Sequence, residues 1–554
     1  MKSRKPTFKP YHQQQLMALP PSLDDLIPAH HPVRIVSHIV DRIDIKPLMK
    51  KYKACGCSSY HPRMMLKVLV YGYLNNLYSS RKLEAATREN IHFMWLASMV
   101  HPDHNTINRF RGERLKDVIK TIFSQVVLLM VESGHVDLQQ VYTDGTKIES
   151  VANRYTFVWG KAIKRSKERI AQQLEELWNY TQEVASQELQ DTSPVDFTEV
   201  DSQQVKDTIE KIDQALKGKP VAPKVKQKLN YARKKWPDKL DEYESKEAIL
   251  DGRNSYSKTD PDATFMRMKE DHMLNGQLKP AYNTQISTHD QFIVHYSIHQ
   301  NLADTMTLKP HLESFQQAYG WMPGELIADA GYGSEQNYEL MDHYNIEAYV
   351  KDNYFDQSQK SKVPPKRAFH VDYLYYNKDK NCYYCPMGQV MHYIGDVKEK
   401  TRVGYIRELS RYQAANCSGC PLRGACHKSK GNRIVEVSHK LLMLRTKARE
   451  NLLSEKGIAH RKKRPVDVEP VFGMIKHNRG FKRFLTRGLE KVSVEFGLLA
   501  IAHNLLKLCT LANLSPFSLK NMYYILLRLI ERLLHSTHYS TSQQLFIPVS
   551  YKND

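Results

Sequence analysis

Val468-Glu469-Pro470-Val471-Phe472-Gly473-Met474-Ile475-Lys476 runs on into His477-Asn478-Arg479-Gly480-Phe481-Lys482-Arg483-Phe484. One carboxylate stands at the head of an apolar, basic segment. Helical spacing puts Glu469 and Lys476 two turns apart on one face. Phe472 and Ile475 are then expected in a core, and Pro470 in the first turn, where its missing N–H costs nothing. Lys476, Arg479, Lys482 and Arg483 form a cationic edge beside Glu469. A carboxylate able to hold a divalent cation next to a phosphate-binding edge points to nucleic-acid chemistry. An exposed Glu on a basic amphipathic helix gives the same pattern, and this stretch alone does not choose between them.

Two aspartates upstream offer partners. Residues 139–146 read as a strand ending in an acidic turn at Asp144-Gly145. Residues 324–329 read as a short buried strand ending at Asp329, with Ala330-Gly331-Tyr332-Gly333 a tight turn and Ser334 capping a helix through Met341. Between them, residues 280–287 and 292–299 are β-rich and joined by Thr288-His289-Asp290-Gln291. Residues 304–319 place Leu308, Leu312 and Phe315 on one helical face, and 346–350 read as a further strand. This order predicts an α/β fold with a mixed sheet and acids along one edge. Taken singly, Asp144 is equally a turn-former and Asp329 equally a cap. If the fold gathers Asp144, Asp329 and Glu469, three anions repel unless a cation sits between them. Oxygen ligands of this kind suit Mg²⁺ or Mn²⁺.

The composition agrees with a polyanionic partner. Among 554 residues, 81 Lys and Arg stand against 60 Asp and Glu, a net charge of +21. Such a surplus steers association with phosphates, although it does not separate DNA, RNA and membrane surfaces. The first dozen residues are polar and basic, with no secretory signal, and no apolar run is expected to reach the roughly 20 residues of a membrane span. The segment 523–527 is cut short by Arg528 and reads as a buried helix. No G-x-S-x-G elbow, Walker loop or H-E-x-x-H pattern is present, which removes serine-hydrolase, P-loop and zincin chemistry.

The front of the chain reads as all-helical. Residues 33–43 and 64–77 carry helical apolar periodicity, the second preceded by Tyr60-His61-Pro62. Ser79-Ser80-Arg81-Lys82-Leu83-Glu84 supplies a helix start near to a capping box. His101-Pro102-Asp103-His104-Asn105-Thr106 is expected as a turn leading to Arg109 and Arg111, whose guanidiniums could meet phosphates in a helix-turn-helix-like unit. A plain helical domain fits the same pattern. From 160 to 250, Ile170, Leu174 and Leu177, then Val205, Ile209, Ile212 and Leu216, then Val225, Leu229, Ala232 and Trp236 repeat at heptad-like spacing among charges. Five of the eight cysteines cluster later: Cys382-x2-Cys385, Cys417-x2-Cys420 and Cys426, followed by His427. Paired C-x2-C knuckles suit tetrahedral Zn²⁺, with five cysteines for four places; reduced structural thiols are the alternative. Cys55 and Cys57 read as free thiols, Cys509 as core, and His503-Asn504 as a satisfied core pair.

At Ile327-Ala328-Asp329-Ala330-Gly331-Tyr332 and Val468-Glu469-Pro470-Val471-Phe472-Gly473 the sequence resembles bacterial insertion-sequence transposases of the DDE class, which have a ribonuclease-H-like core. In that resemblance Asp144, within Tyr142-Thr143-Asp144-Gly145-Thr146-Lys147, corresponds to the first acid, Asp329 to the second and Glu469 to the third. Lys476 fits the Glu-x6-Lys part of a signature in one large branch, where the lysine meets DNA near the cut. The upstream Tyr-x2-Arg-x3 part is not matched: Lys462 and Pro465 stand there, the nearest arginine is Arg464, and no role is carried over. The front is similar to the family's N-terminal domain through Tyr60-His61-Pro62, Tyr71-Gly72-Tyr73, Ser79-Ser80-Arg81 and Pro102-Asp103-His104-Asn105-Thr106-Ile107. Comparable cysteines occur in the family's insertion.

The resemblance implies a ribonuclease-H-like mixed-sheet catalytic core with a helical N-terminal domain, a helical coiled-coil-like insertion and a Cys-rich insertion. The expected division is a DNA-binding domain at 1–130, core at 131–158, helical insertion at 159–255, core at 256–350, the Cys-rich insertion and candidate zinc site at 351–435, core helices at 436–515, and a helix and tail at 516–554. The implied activity is a transposase that binds terminal inverted repeats, holds Mg²⁺ (or Mn²⁺) on Asp144, Asp329 and Glu469, cuts the element's ends and joins them to target DNA. Lys476, Arg479, Lys482, Arg483, Arg109 and Arg111 are the implied DNA contacts. The implied partners are double-stranded DNA and a second copy in a synaptic complex, with no membrane, in the bacterial cytoplasm at the nucleoid. A transposon-derived DNA-binding protein without catalysis and a ribonuclease-H-like nuclease without joining are the alternatives.

Overall fold

The computed structural model describes residues 22–52, 59–185, 196–268, 276–360, 369–401 and 404–514. Cys55, Cys57, the 523–527 helix and the 516–554 tail lie outside them. The chain forms two compact units, one from its two ends (residues to 126 and from 498) and one from Val127–Gly497.

The first unit is helical: α1 (Pro32–Arg42), α2 (Lys46–Met49), α3 (Pro62–Leu74), α4 (Ser80–Glu89), α5 (Ile91–Leu96) and α6 (His104–Arg109), after which α7 (Ile119–Glu132) leads the chain onward. Two helices start alike. His31-Pro32 and His61-Pro62 each place proline in the first turn, and each Nδ1 accepts the N–H two residues on, from Val33 at 3.2 Å and Arg63 at 3.3 Å. Asp103 caps α6 through the N–H groups of Asn105 and Thr106 at 2.8 and 2.9 Å, so part of the stretch expected as a turn is already helix. Ser79 precedes α4 without a capping bond; Glu84 instead accepts the His104 N–H at 3.0 Å. Arg111 corrects an expectation. It is buried and donates to the Tyr78 carbonyl (2.7 Å), the Tyr73 hydroxyl and Asn108 Oδ1 (3.2 Å each), so it is spent on packing rather than offered to DNA. Arg109 remains exposed.

The second unit is mixed α/β. Its strands and helices run β1 (Gln140–Glu149), β2 (Phe157–Trp159), α8 (Gly160–Val184), α9 (Ser202–Ala215), α10 (Pro223–Leu250), β3 (Ser255–Ser257), β4 (Thr264–Arg267), β5 (Leu278–His289), β6 (Phe292–His299), α11 (Leu308–Tyr319), β7 (Glu325–Ala328), α12 (Glu335–His343) and β8 (Glu347–Val350). The main sheet has the order β4-β5-β1-β7-β8, with β6 also on β5. β1, β5 and β6 pair antiparallel, and β7 and β8 continue parallel to β1. Asp290 and Gln291 turn the β5–β6 hairpin at positive φ, 48° and 63°, as a two-residue connection whose twist matches the strands. Leu308, Leu312 and Phe315 bury one face of α11, as their spacing predicts.

The helical insertion has its own core. Leu174, Leu177 and Trp178 of α8 meet Val205, Ile209 and Ile212 of α9 and Leu229, Ala232, Trp236 and Leu240 of α10. α10 runs unbroken through Pro237. The Cys-rich segment is a second, five-stranded antiparallel sheet in chain order: β9 (Tyr376–Asn377), β10 (Cys382–Tyr384), β11 (Val390–Lys400), β12 (Ile406–Ala414) and β13 (Ile434–Val437), with the short helices α13 (Phe355–Ser358) and α14 (Arg423–Cys426) beside it in sequence. The sequence reading did not foresee these strands.

Three helices complete the described residues: α15 (His439–Leu453), α16 (Glu455–Gly473) and α17 (Leu489–Leu514). Within α17, Leu489–Ala512 is long and apolar enough to cross a membrane, which the sequence reading did not expect; 78% of that window is buried, as in a core helix. α16 corrects the reading of the Glu469 stretch. The helix begins at Glu455, so Glu469 lies near its C-terminal end and Pro465 and Pro470 lie inside it. Val468, Val471 and Ile475 bury the inward face, each contributing roughly 2 kcal/mol of apolar burial. Asp467, 2% exposed, fastens that face to the hairpin: Oδ1 accepts from the Thr288 hydroxyl (2.6 Å) and the Gln291 N–H (3.2 Å).

Candidate active site

Three elements deliver the three acids to one cleft of about 390 Å³, lined by Asp144, Thr146, Asp329, Arg464, Glu469, Phe472, Gly473, Lys476 and His477. Asp144 is not at a strand end. β1 continues through Gly145 to Glu149, and Asp144 pairs with Ile286 of β5. β7, however, pairs with β1 only at Gln140, Val141 and Tyr142. Beyond Tyr142 the two parallel strands part, and Asp144 and Thr146, on one face of β1, border the opening. Asp329 follows the last residue of β7, as expected, and caps the turn after it by accepting the Gly331 N–H at 2.9 Å. Glu469 is exposed and lines the same cleft from α16.

Arg464 joins the two aspartates. Its Nη2 lies 3.1 Å from Asp144 Oδ2 and 3.7 Å from Asp329 Oδ2. Asp144 is 7% exposed, and its Oδ1 accepts the Gly145 N–H at 2.8 Å. The sequence reading missed Arg464, which stands one residue from the arginine position of the wider signature.

A polar network lies beside the aspartates. Asp304 Oδ1 accepts from Asn283 (2.8 Å) and Gln285 (2.9 Å), and the buried Tyr332 hydroxyl donates to Gln285 Oε1. Burial pushes the Tyr332 hydroxyl well above its ordinary pKa, and the charges of Asp304, Asp144 and Asp329 add to that, so it stays a donor. Gly145 is required here: a Cβ would run into the Gln285 amide and reach 2.8 Å from Asp304 Oδ1. Thr305 holds the Asp329 turn from behind, its hydroxyl donating to the Gly331 carbonyl at 2.8 Å. Of this set, Gly145, Gly331 and Tyr332 fall within motifs visible in sequence, whereas Asn283, Gln285, Asp304 and Thr305 do not.

The cationic edge divides. Lys476 lines the cleft. Arg479 is buried, and Lys482 is exposed. Arg483 is exposed, and its Nε and Nη2 donate to the Ser150 and Ala152 carbonyls at 3.1 and 3.2 Å, anchoring the segment after α16 to the end of β1. Phe472 also departs from expectation, lining the cleft instead of entering the core.

Carboxylate oxygens are the donor type that suits a hard divalent cation. Among the described residues, no three His, Cys, Asp or Glu side chains are grouped closely enough to hold a metal ion, and between Asp144 and Asp329 the cationic partner is Arg464. The same holds for the cysteines. Cys385, Cys417, Cys420, Cys426 and His427 line one cavity of about 20 Å³, whereas Cys382 sits on β10 outside it. Arg433 Nη1 donates to Cys426 Sγ at 2.9 Å. The expected zinc grouping, which counted Cys382 among its ligands, is therefore not formed by these side chains as they stand. Cys509 is buried, as expected of a core residue.

Two family models match the chain. One, described as Transposase domain (DUF772), covers residues 21–113; the other, described as Transposase DDE domain, covers 384–509. The second contains Glu469 and Lys476 but begins after Asp144 and Asp329. No curated protein and no solved structure matches. Both matched families are transposase families, and together they support an insertion-sequence DDE transposase.

Proposed function

We propose that the protein binds the terminal inverted repeats of an insertion sequence, cleaves DNA at those ends and joins them to a target. The observation that carries this is the convergence of Asp144 and Asp329, from strands far apart in sequence, on one cation in a cleft that also takes Glu469 and Lys476. The mixed sheet supports a ribonuclease-H-like core: antiparallel strands lead into two parallel ones, and the acids stand where β1 and β7 part.

In this reading Asp144, Asp329 and Glu469 would hold Mg²⁺ or Mn²⁺, which would supply activation of a water or 3′-hydroxyl and charge neutralisation at the leaving oxygen. The chain's own residues do the rest. Lys476 positions a phosphate in the cleft, with exposed Lys482 as a further contact. The Asp304–Gln285–Tyr332 network keeps the strands carrying both aspartates in place. The first helical unit, with Arg109 on its surface, reads the repeat. Synapsis of two ends calls for a homodimer, and the setting is the bacterial cytoplasm, at the nucleoid.

The test is cleavage of end-bearing duplex by purified protein in Mg²⁺. Asp144→Ala, Asp329→Ala and Glu469→Ala are each expected to lower cleavage by about 10³-fold or more while retaining end binding. Full cleavage by the Asp329→Ala protein refutes the assignment. Binding without cleavage by the parent protein identifies a DNA-binding protein without chemistry, and cleavage without a strand-transfer product identifies a nuclease.

A further inference from the structure

We propose that Arg464 is a resident counter-cation that competes with the divalent ion for Asp144 and Asp329, and that a DNA phosphate entering the cleft draws it away. Ion binding is thereby coupled to substrate. This rests on the reading of the cleft given above.

The geometry is specific. The closest approach to both aspartates is made by the same nitrogen, Nη2, at 3.1 Å from Asp144 Oδ2 and 3.7 Å from Asp329 Oδ2. The Arg464 side chain is 17% exposed, so the contact is only partly screened by water. Its Nε is buried without a hydrogen-bond partner among the described residues, so the guanidinium is not fastened through that nitrogen. Such a group can leave at the cost of those two contacts and gains from any better anion. A phosphate offers that anion, because its oxygens match the planar fork bidentately. Lys476 borders the same cleft and favours a phosphate there.

The consequence is a linkage. While the guanidinium neutralises the aspartates, a divalent ion must displace it to bind. Once a phosphate takes the guanidinium, the carboxylates repel each other and favour the ion. By reciprocity, the ion then strengthens DNA binding by the same factor. The arrangement holds the cleavage centre back until DNA is present.

The experiment measures Mn²⁺ binding to the full chain by electron paramagnetic resonance, with and without a short duplex. Without DNA, Arg464→Gln is expected to bind Mn²⁺ roughly tenfold tighter than the parent, and DNA is expected to tighten the parent by a similar factor but to leave Arg464→Gln nearly unchanged. Arg464→Lys, which keeps a cation at that position, is expected to stay near the parent value. In EDTA, Arg464→Gln is expected to melt below the parent, with Mn²⁺ restoring the difference; a merely structural arginine would weaken folding without tightening the ion. Equal or weaker Mn²⁺ binding by a folded Arg464→Gln protein overturns the proposal. Adding Asp144→Asn to Arg464→Gln separates the two readings. Loss of the gained affinity places the ion at this cleft and supports the competition. Mn²⁺ binding indifferent to Asp144→Asn removes the cleft as the ion's site, and the proposal with it.

Discussion

Asp467→Ala is expected to loosen the helix that carries Glu469. Positions 467 and 469 lie about 200° apart around α16, so one faces the β5–β6 hairpin and the other the cleft. Oδ1 of Asp467 accepts two hydrogen bonds, at 2.6 and 3.2 Å. Hydrogen bonds to a charged group contribute about 1.5–3 kcal/mol each. Two effects reduce the sum. The Thr288 hydroxyl also reaches the Tyr142 carbonyl at 3.3 Å and is not orphaned by the substitution. Oδ2 is buried without a hydrogen-bond partner among the described residues, so removing the carboxylate also removes a desolvation cost. The net loss is about 2 kcal/mol, or a melting shift of about 3 °C for a unit of this size. Differential scanning calorimetry reads the shift. A cleavage assay reads the displacement of Glu469, with a rate loss of roughly tenfold and little change in DNA affinity. Asp467→Asn, which keeps an acceptor, is expected to lose less. A melting point within about 1 °C of the parent, or Asn costing more than Ala, would refute the reasoning.

Arg111→Ala is expected to destabilise the first unit by about 3 kcal/mol, because it removes the hydrogen bonds to the Tyr78 carbonyl, the Tyr73 hydroxyl and Asn108 Oδ1. The salt dependence of DNA binding, measured below the melting point, should stay unchanged, since no phosphate contact is lost. Gly457→Ala should cost about 3 kcal/mol in a urea melt: a Cβ there runs into the Asn451 carbonyl and comes within 2.7 Å of Leu452 Cα, and backbone cannot give way. His31 and His92 stack at 3.9 Å, and burial holds both imidazoles below the ordinary value, with the charge of His92 and of Arg34 adding to this at His31. A lowered folded-state pKa means that the unfolded chain binds more protons. The first unit should therefore keep this stability above about pH 6.5 and lose it as the pH falls. His92→Phe is expected to flatten that dependence in a melting series, and an unchanged slope would contradict it.

The sequence by itself determined what depends on neighbouring residues. His31-Pro32 and His61-Pro62 start helices because proline and a short-range acceptor act within one turn. The Leu308, Leu312 and Phe315 face, the β5–β6 hairpin and Asp329 at the end of β7 follow from local periodicity and turn chemistry. The three acids were legible, but only as separate residues in suggestive contexts.

Tertiary structure decided the rest, because long-range pairing and packing outweigh local preference. Gly145 reads as a strand breaker, yet eight residues of pairing with β5 carry β1 through it. Pro470 reads as a first-turn residue, yet the packed face of Val468 and Val471 keeps α16 whole around it and around Pro465. Arg111 and Arg483 carry the charge of DNA contacts, but the backbone carbonyls that hold them come from distant segments. Arg464 stands one place from the motif position and still reaches Asp144 and Asp329. Spacing along a chain describes one helix, whereas the contact depends on where β1 and β7 part beneath it.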